Sequence, residues 1–462
     1  MKLRKIIILF IIITMGITPI LSTASSIEKD KLNAIKGSQI NADEQEINLL
    51  FGETFLNITA IEDVNSPFNI TYIAPLNYNN QAPILFELCD DSSADILSFR
   101  ILNDTNPPNK VLKFLIGPMG NGTISIIHFR YWVYVKNENY VDLPRYVKMP
   151  KENELPESTK KWLNASKSVQ SDNILIKLKA KQVKGFTRNL ITLANKIVLT
   201  STGLLHRRFM LISMGKIRNF LFPIVREKFG ESDWIPLQDA FSSLFIRGSC
   251  YAQTHLGVAL FRANNVPARS IIITPTFEQV MEQHVICEYY CPNYGWITTE
   301  PIMMSTPPKG IIEYIVERVG DNMGFNNFTT RYESKSHIIL RINFPEDELK
   351  AGNGVSYYGG MEPYLWLDDN SLGVHTYPYT TGYIKKEYET DIVTADFMLN
   401  LTKKIYEQHS KYIGTNLIGD DLIHYDAAIS AQQNAINCFK QSQIQGYIDN
   451  MNIAFDEYSL IS

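Results

Sequence analysis

The chain is poor in cysteine, holding Cys89, Cys250, Cys287, Cys291 and Cys438 in 462 residues, which is too sparse for a disulfide-stapled scaffold. Cys287 and Cys291 lie close together but have no neighbouring Cys/His pair, which excludes a zinc-finger spacing. No calcium loop of the D-x-[DN]-x-[DN]-G type occurs, and His375, His409 and His424 stand outside any ligand spacing. His128 falls inside a long strand candidate and reads as a packed or surface residue. No metal or cofactor is therefore expected. The sequence also lacks a long basic run; its 44 basic and 48 acidic residues leave a net charge of -4. Without a basic footprint for phosphates, nucleic acid is not an expected partner. No internal repeat is visible, and beyond the N-terminus no apolar run is long enough to span a membrane.

What is present begins with Met1-Lys-Leu-Arg-Lys5, an unbroken apolar run from Ile6 to Ile13, and the small residues Ser22-Thr-Ala24. A basic start, an apolar stretch and a small-residue cleavage site predict a signal peptide over 1–24, an uncleaved anchor being the other reading. The apolar run is shorter than the roughly 18 residues of a spanning helix. Secretion or display at the cell surface is the expected localisation, with acceptor sequons for glycosylation at Asn57, Asn69, Asn103, Asn121, Asn164, Asn327 and Asn400. An odd cysteine count in an exported protein leaves a thiol free, and Cys250 is the candidate.

Composition shifts divide the rest. Short strand candidates such as Phe55–Ile61, Ile84–Leu88, Ile96–Leu102 and Thr123–Val135, spaced by Asn, Pro and Gly clusters, predict a β-sandwich over 45–147. A polar link, Lys148–Pro156, leads into helical spacing at Leu190, Ile191, Ala194, Ile197 and Val198 behind a cap candidate, Thr187. Further helical runs cover Leu204–Phe229 and Leu237–Phe245. Residues 336–390 form a Tyr-rich β/loop region whose aromatic faces (Tyr357–Tyr388) are a candidate substrate platform. From 391 to 462 the pattern is helical, marked by Ile392, Phe397, Met398, Leu401 and Ile405 and then by Ala427, Ala428, Ala431, Ala435, Ile436 and Phe439.

The chemistry lies in the middle. Gly248-Ser-Cys250 opens an apolar helix with Ala252, Leu256, Ala259, Leu260 and Ala263 on one side, ending at Asn264-Asn265. A cysteine at a helix N-terminus meets the unpaired backbone N–H groups, whose partial positive charge favours the thiolate. Strands follow at Ser270–Thr274, His284–Tyr290 and Tyr294–Thr298; alternation sets His284, Ile286 and Glu288 on one face, and the hairpin brings Glu300 towards His284. A thiol, an imidazole and a carboxylate in this order suit nucleophilic acyl transfer.

Leu190–Pro301 resembles the transglutaminase-like superfamily of papain-type cysteine enzymes: helices upstream, Gly248-Ser-Cys250 at a helix start, the turn Asn265-Val-Pro-Ala-Arg269, the pattern His284-Val-Ile-Cys-Glu288, and Gly295-Trp296 before an acidic residue and Pro301. The resemblance implies an α+β fold: a papain/transglutaminase-like core over 160–335, helices packed on an antiparallel sheet, between the N-terminal β-sandwich and the C-terminal helical region. It implies Cys250 as nucleophile, His284 as acid/base, and Glu300 where the family usually carries Asp. Ile286 stands where the family often has an aromatic residue. Trp234 and Gln238 carry no motif that would make either an oxyanion donor, and the backbone N–H of Cys250 takes that role. The expected activity is that of an exported thiol enzyme acting on peptide or protein amide bonds, by hydrolysis rather than amine transfer. The alternative is a binding or scaffolding protein that has lost catalysis.

Overall fold

Alternation builds the first sheet. In β1 (Glu44–Ala60) Ile47 and Leu49 face one way, and Leu50, Leu56, Ile58 and Ala60 the other, all buried. The computed structural model describes residues 44–60, 63–104, 107–137, 143–166, 168–202, 239–244, 250–275, 284–299, 306, 314–321, 366–367 and 374–462. At 242, 251, 274, 275, 366, 367 and 374–385 it describes the backbone alone. Downstream of β1 come β2 (Phe68–Ala74), β3 (Gln81–Leu88), β4 (Ile96–Asn103), β5 (Lys110–Ile116) and β6 (Ile124–Lys136). The helices α1 (Ile174–Lys184), α2 (Leu190–Ser201) and α3 (Cys250–Arg262) precede β7 (Ala268–Pro275), β8 (His284–Cys291), β9 (Gly295–Thr299) and β10 (Tyr314–Val319). Last are β11 (Trp366–Leu367), β12 (Val374–Asp391), α4 (Ile392–Tyr412), α5 (Asp420–Lys440) and α6 (Ile444–Leu460).

The strands form three antiparallel sheets, ordered β12-β1-β6-β3, β11-β2-β5-β4 and β10-β7-β8-β9. The fold is thus mixed α+β. The even residues of β1 and the odd residues Ile127, Phe129, Tyr131 and Val133 of β6 enter an apolar cluster with Ile70, Tyr72, Phe99, Leu112 and Phe114 of the second sheet. The opposite face of the first sheet, through Ile47, Leu49, Ala82, Ile84, Trp132 and Tyr134, is covered by α4, α5 and α6. A sheet buried on both faces reads as nearly continuous apolar sequence, as β6 does.

The C-terminal helices pack through small residues: Ala428, Ala431 and Ala435 of α5 and Ala454 of α6 are buried. Met398 and Ile405 of α4 are core as their spacing predicted, whereas Ile392 and Phe397 face outward. The cap of α2 also differs from the sequence reading. Asn189, not Thr187, accepts from Ile191 N–H (3.1 Å), because the helix begins two residues later than a Thr187 cap would set; Thr187 Oγ1 accepts from the N–H of Asn189 itself (3.2 Å).

Side-chain amides join the N-terminal sheets to the third. The exposed edge of β10 would leave backbone groups unpaired. Gln81 donates to Val316 O (2.7 Å) and accepts from Val316 N–H (2.7 Å), while Asn109 donates to Val319 O (2.8 Å) and accepts from Val319 N–H (2.7 Å). Arg318, fully buried on the same strand, donates to Asp104 at 2.7 Å. The sheet that carries His284 is thereby fixed to the β-rich N-terminal part.

Candidate active site

Every residue of α3 from Ala252 to Arg262 is buried. A helix buried on every side belongs in a core, and α3 fills one: Leu256, Val258, Ala259, Leu260 and Phe261 share a cluster with Ile197 of α2 and Cys287, Tyr289 and Ile297 of the third sheet. Phe261 stacks on Tyr289 with centroids 4.9 Å apart. Asn265, at φ 61°, turns the chain out of the helix in the left-handed region that Asn tolerates. The stop predicted at Asn264-Asn265 is where the helix ends.

Cys250 is the first residue of α3 and is half-buried against the cluster that contains Ile272, Val285 and Ile315. One turn along the helix, Thr254 Oγ1 donates to Val285 O at 2.8 Å. Val285 is the neighbour of His284, the half-buried first residue of β8. The start of the helix and the start of the strand are therefore tied together. Within β8, Cys287 and Tyr289 face α3, whereas Ile286 lies with Leu76, Ile271, Ile273 and Val316 on the other side. His284 pairs with Ile273 across the sheet, which sets it on the Ile286 side. In the β8–β9 hairpin Cys287 faces Thr299. Glu300, the next residue, lies outside the described residues, as do Trp234, Gln238 and the Leu204–Phe229 run; the side chains of the Tyr-rich stretch through 385 are likewise outside them.

Two charged groups quoted only as motif positions turn out to be internal supports. Arg269 and Glu288 pair across β7 and β8, and Arg269 Nε donates to Glu288 Oε2 at 2.8 Å. Tyr78 completes the knot: its hydroxyl donates to Glu288 and accepts from Arg269. The guanidinium lies 3.7 Å from the centroid of the Trp296 ring and 5.7 Å from that of Trp162. The Gly-Trp element of the sequence is thus a face on which Arg269 stacks.

The second support is Arg262, at the end of α3. Its guanidinium donates to both oxygens of Asp321 (2.6 and 2.7 Å) and to the carbonyls of Asn164 (2.7 Å) and Ala268 (2.8 Å). Burial works against the Asp321 charge, but Arg262 and a hydrogen bond from Ser166 outweigh it and hold the carboxyl below its ordinary range. Sequence reasoning missed this pair because Asp321 is remote in the chain and no motif surrounds it.

All five cysteines are free thiols, so the parity of the count does not single out Cys250. Environment does. Burial pushes the Cys287 thiol up to about 12 and those of Cys89 and Cys291 up to about 11, which keeps them neutral. Among the described residues, a set of three metal-ligating side chains lies away from Cys250, at Cys89, Asp91 and His128 on the first sheet.

Residues 230–301 match the family model of the transglutaminase-like superfamily, a span that contains Cys250, His284 and Glu300. Over this span the chain is similar to the transglutaminase-like superfamily. The transglutaminase-like span begins after α2 and takes in α3 and β7 to β9, so the Thr254–Val285 bond and the Arg269–Glu288 pair both fall inside it. A solved structure of a candidate cysteine protease from Cytophaga hutchinsonii is similar at 13% identity over 76% of this chain and 92% of its own, with a TM-score of 0.43. No curated protein matches the sequence. No described helix is long and apolar enough to cross a membrane.

Proposed function

We propose that the chain is an exported thiol enzyme acting on amide bonds of peptides or proteins, with Cys250 as nucleophile, His284 as acid/base and Glu300 as the carboxylate that orients the imidazole. The observation that carries this reading is the bond from Thr254 to Val285, which holds the first turn of the Cys250 helix against the strand end beside His284, inside the transglutaminase-like span. In the reaction the Cys250 sulfur attacks the amide carbon as His284 takes the thiol proton. The backbone N–H of Cys250 donates to the oxyanion. Collapse of the tetrahedral intermediate expels the amine, which takes the proton from His284, and leaves a thioester. Water, deprotonated by His284, attacks the thioester and releases the acid and the thiol. Hydrolysis is preferred to amine transfer because no feature of the sequence speaks for a dedicated amine channel. Export rests on the pattern of residues 1–24, and the sequons at Asn103, Asn121, Asn164 and Asn400 are exposed. We read the two N-terminal sheets as a β-sandwich that supports this core.

A second reading is favoured by one observation: His284 leaves β8 on the Ile286 side, opposite the face that α3 covers. A catalytically degraded binding or scaffolding protein at the cell surface would keep the supports and lose the triad. The two readings separate in one assay of the purified chain on casein, followed for new amino termini and for incorporation of a fluorescent primary amine. The proposal expects new termini that vanish with Cys250→Ala; amine incorporation in their place would make the enzyme a transferase, and neither signal in the wild type would favour the scaffold.

A further inference from the structure

The outer face of the first sheet bears a cluster that the thiol chemistry does not use. His128 projects from β6 beside β1, at the border of the area covered by the C-terminal helices. Its Nδ1 lies 2.5 Å from Asp91 Oδ1 and its Nε2 2.9 Å from Glu53 Oε1. Ligand atoms of Cys89, Asp91 and His128 all lie within 4.8 Å of one another. The cluster is held in place from several sides. Phe55 stacks on the imidazole with centroids 4.1 Å apart. The turn that carries Cys89 and Asp91 is fixed to the strand through Cys89 N–H, which donates to His128 O (2.9 Å), and through Ser92 Oγ, which accepts from His128 N–H (3.0 Å).

A neutral imidazole has one donor nitrogen and one acceptor nitrogen. Two carboxylates, one on each nitrogen, are both satisfied only when the ring is doubly protonated or when a cation takes the place of one proton. The thiol decides between these. An imidazolium between two carboxylates has no use for a sulfur within ligand distance, whereas one thiolate, one imidazole and one carboxylate make a mixed donor set suited to a borderline divalent ion. A second thiol catalytic pair does not fit, because both ring nitrogens already face carboxylates and neither is left to take a proton from Cys89. Bond lengths in tetrahedral zinc sites place ligand atoms roughly 3.2–3.8 Å apart, so the ring and Asp91 must part slightly as an ion enters. The Asp91 side chain, 68% exposed, is free to make that movement.

We propose that Cys89 Sγ, an Asp91 carboxylate oxygen and His128 Nδ1 form a binding site for a zinc-class divalent ion, with Glu53 orienting the ring from Nε2. Water completes the coordination. Binding forms the sulfur–metal and Nδ1–metal bonds, and the thiol proton and the Nδ1 proton that the ion displaces are both released to solvent. Glu53 then plays the outer-carboxylate part that commonly fixes a metal-bound histidine. The sequence concealed the set because Cys89 and His128 come together only through the β3–β6 pairing.

The test is titration of the reduced, purified full-length chain with cobalt(II), followed optically. The expected result is a single equivalent bound with a thiolate-to-cobalt charge-transfer band in the near ultraviolet, and loss of that band on adding zinc. Cys89→Ser should abolish the band, Asp91→Asn and Glu53→Gln should each weaken binding by ~10–100-fold, and Cys250→Ser should leave it intact. The Cys89 and Asp91 variants change a surface turn, and circular dichroism verifies that each retains its fold. Absence of the band from the wild type, its persistence in Cys89→Ser, or its loss in Cys250→Ser would overturn the proposal.

Discussion

Thr254 Oγ1 donates to the Val285 carbonyl at 2.8 Å, joining the first turn of the Cys250 helix to the strand that starts at His284. The group is buried and the carbonyl has no solvent to turn to. Thr254→Val keeps the shape and removes the donor, so about 1–2 kcal/mol of stability should be lost, measured by urea denaturation. Casein turnover should fall by more than this loss explains, since the helix start is then free to shift against the strand.

Arg262 and Asp321 are almost completely buried and hydrogen-bonded on both sides. Removing one partner strands the other charge in the core. Asp321→Asn should therefore cost about 3–5 kcal/mol in denaturant melts, well beyond a surface substitution. Glu288→Gln should behave similarly, because Arg269 then keeps its aromatic faces but loses its counter-charge.

His409 of α4 is fully buried, 3.0 Å from both the Phe86 carbonyl oxygen and the Tyr458 hydroxyl. Burial depresses its imidazole to about 4. The unfolded chain gains the proton near pH 6.5 and the folded chain only near 4, so stability is full above pH 6.5 and declines as pH falls between those values. The expected loss is about 3 kcal/mol by pH 4, read as a falling melting temperature. His409→Gln should flatten that part of the profile.

The thiols should differ in accessibility. Cys287 and Cys291 are buried in the cluster beneath α3 and held as neutral thiols. In the native protein iodoacetamide should leave both unmodified, and in guanidinium both should react, with peptide mass spectrometry as the readout. Early labelling of Cys287 in native buffer would contradict the packing of α3 on β8.

Much of this was legible in the sequence. The long β-branched and aromatic run of β6, the apolar run of α3 with its Asn stop, and the small residues of α5 are each local signals, and each element formed where its signal placed it. What the sequence hid was pairing across distance. Arg269 and Glu288 were visible as motif letters, yet only the β7–β8 register shows that they face each other. Asp321, Gln81 and Asn109 gave no local signal, because their work is to satisfy groups on distant segments. The same limit applied to His128, whose carboxylate partners come from another strand and from a turn.

The central claim is that Cys250 is an activated nucleophile supported by His284, and its alkylation rate tests that most directly. Iodoacetamide labelling at pH 6, quantified on the Cys250 peptide, should run at least ~10-fold faster than labelling of a free cysteine peptide, as expected of a thiolate-rich cysteine, and should fall to the free-peptide rate in His284→Ala. A wild-type rate no faster than the free peptide, unchanged by His284→Ala, would contradict the account.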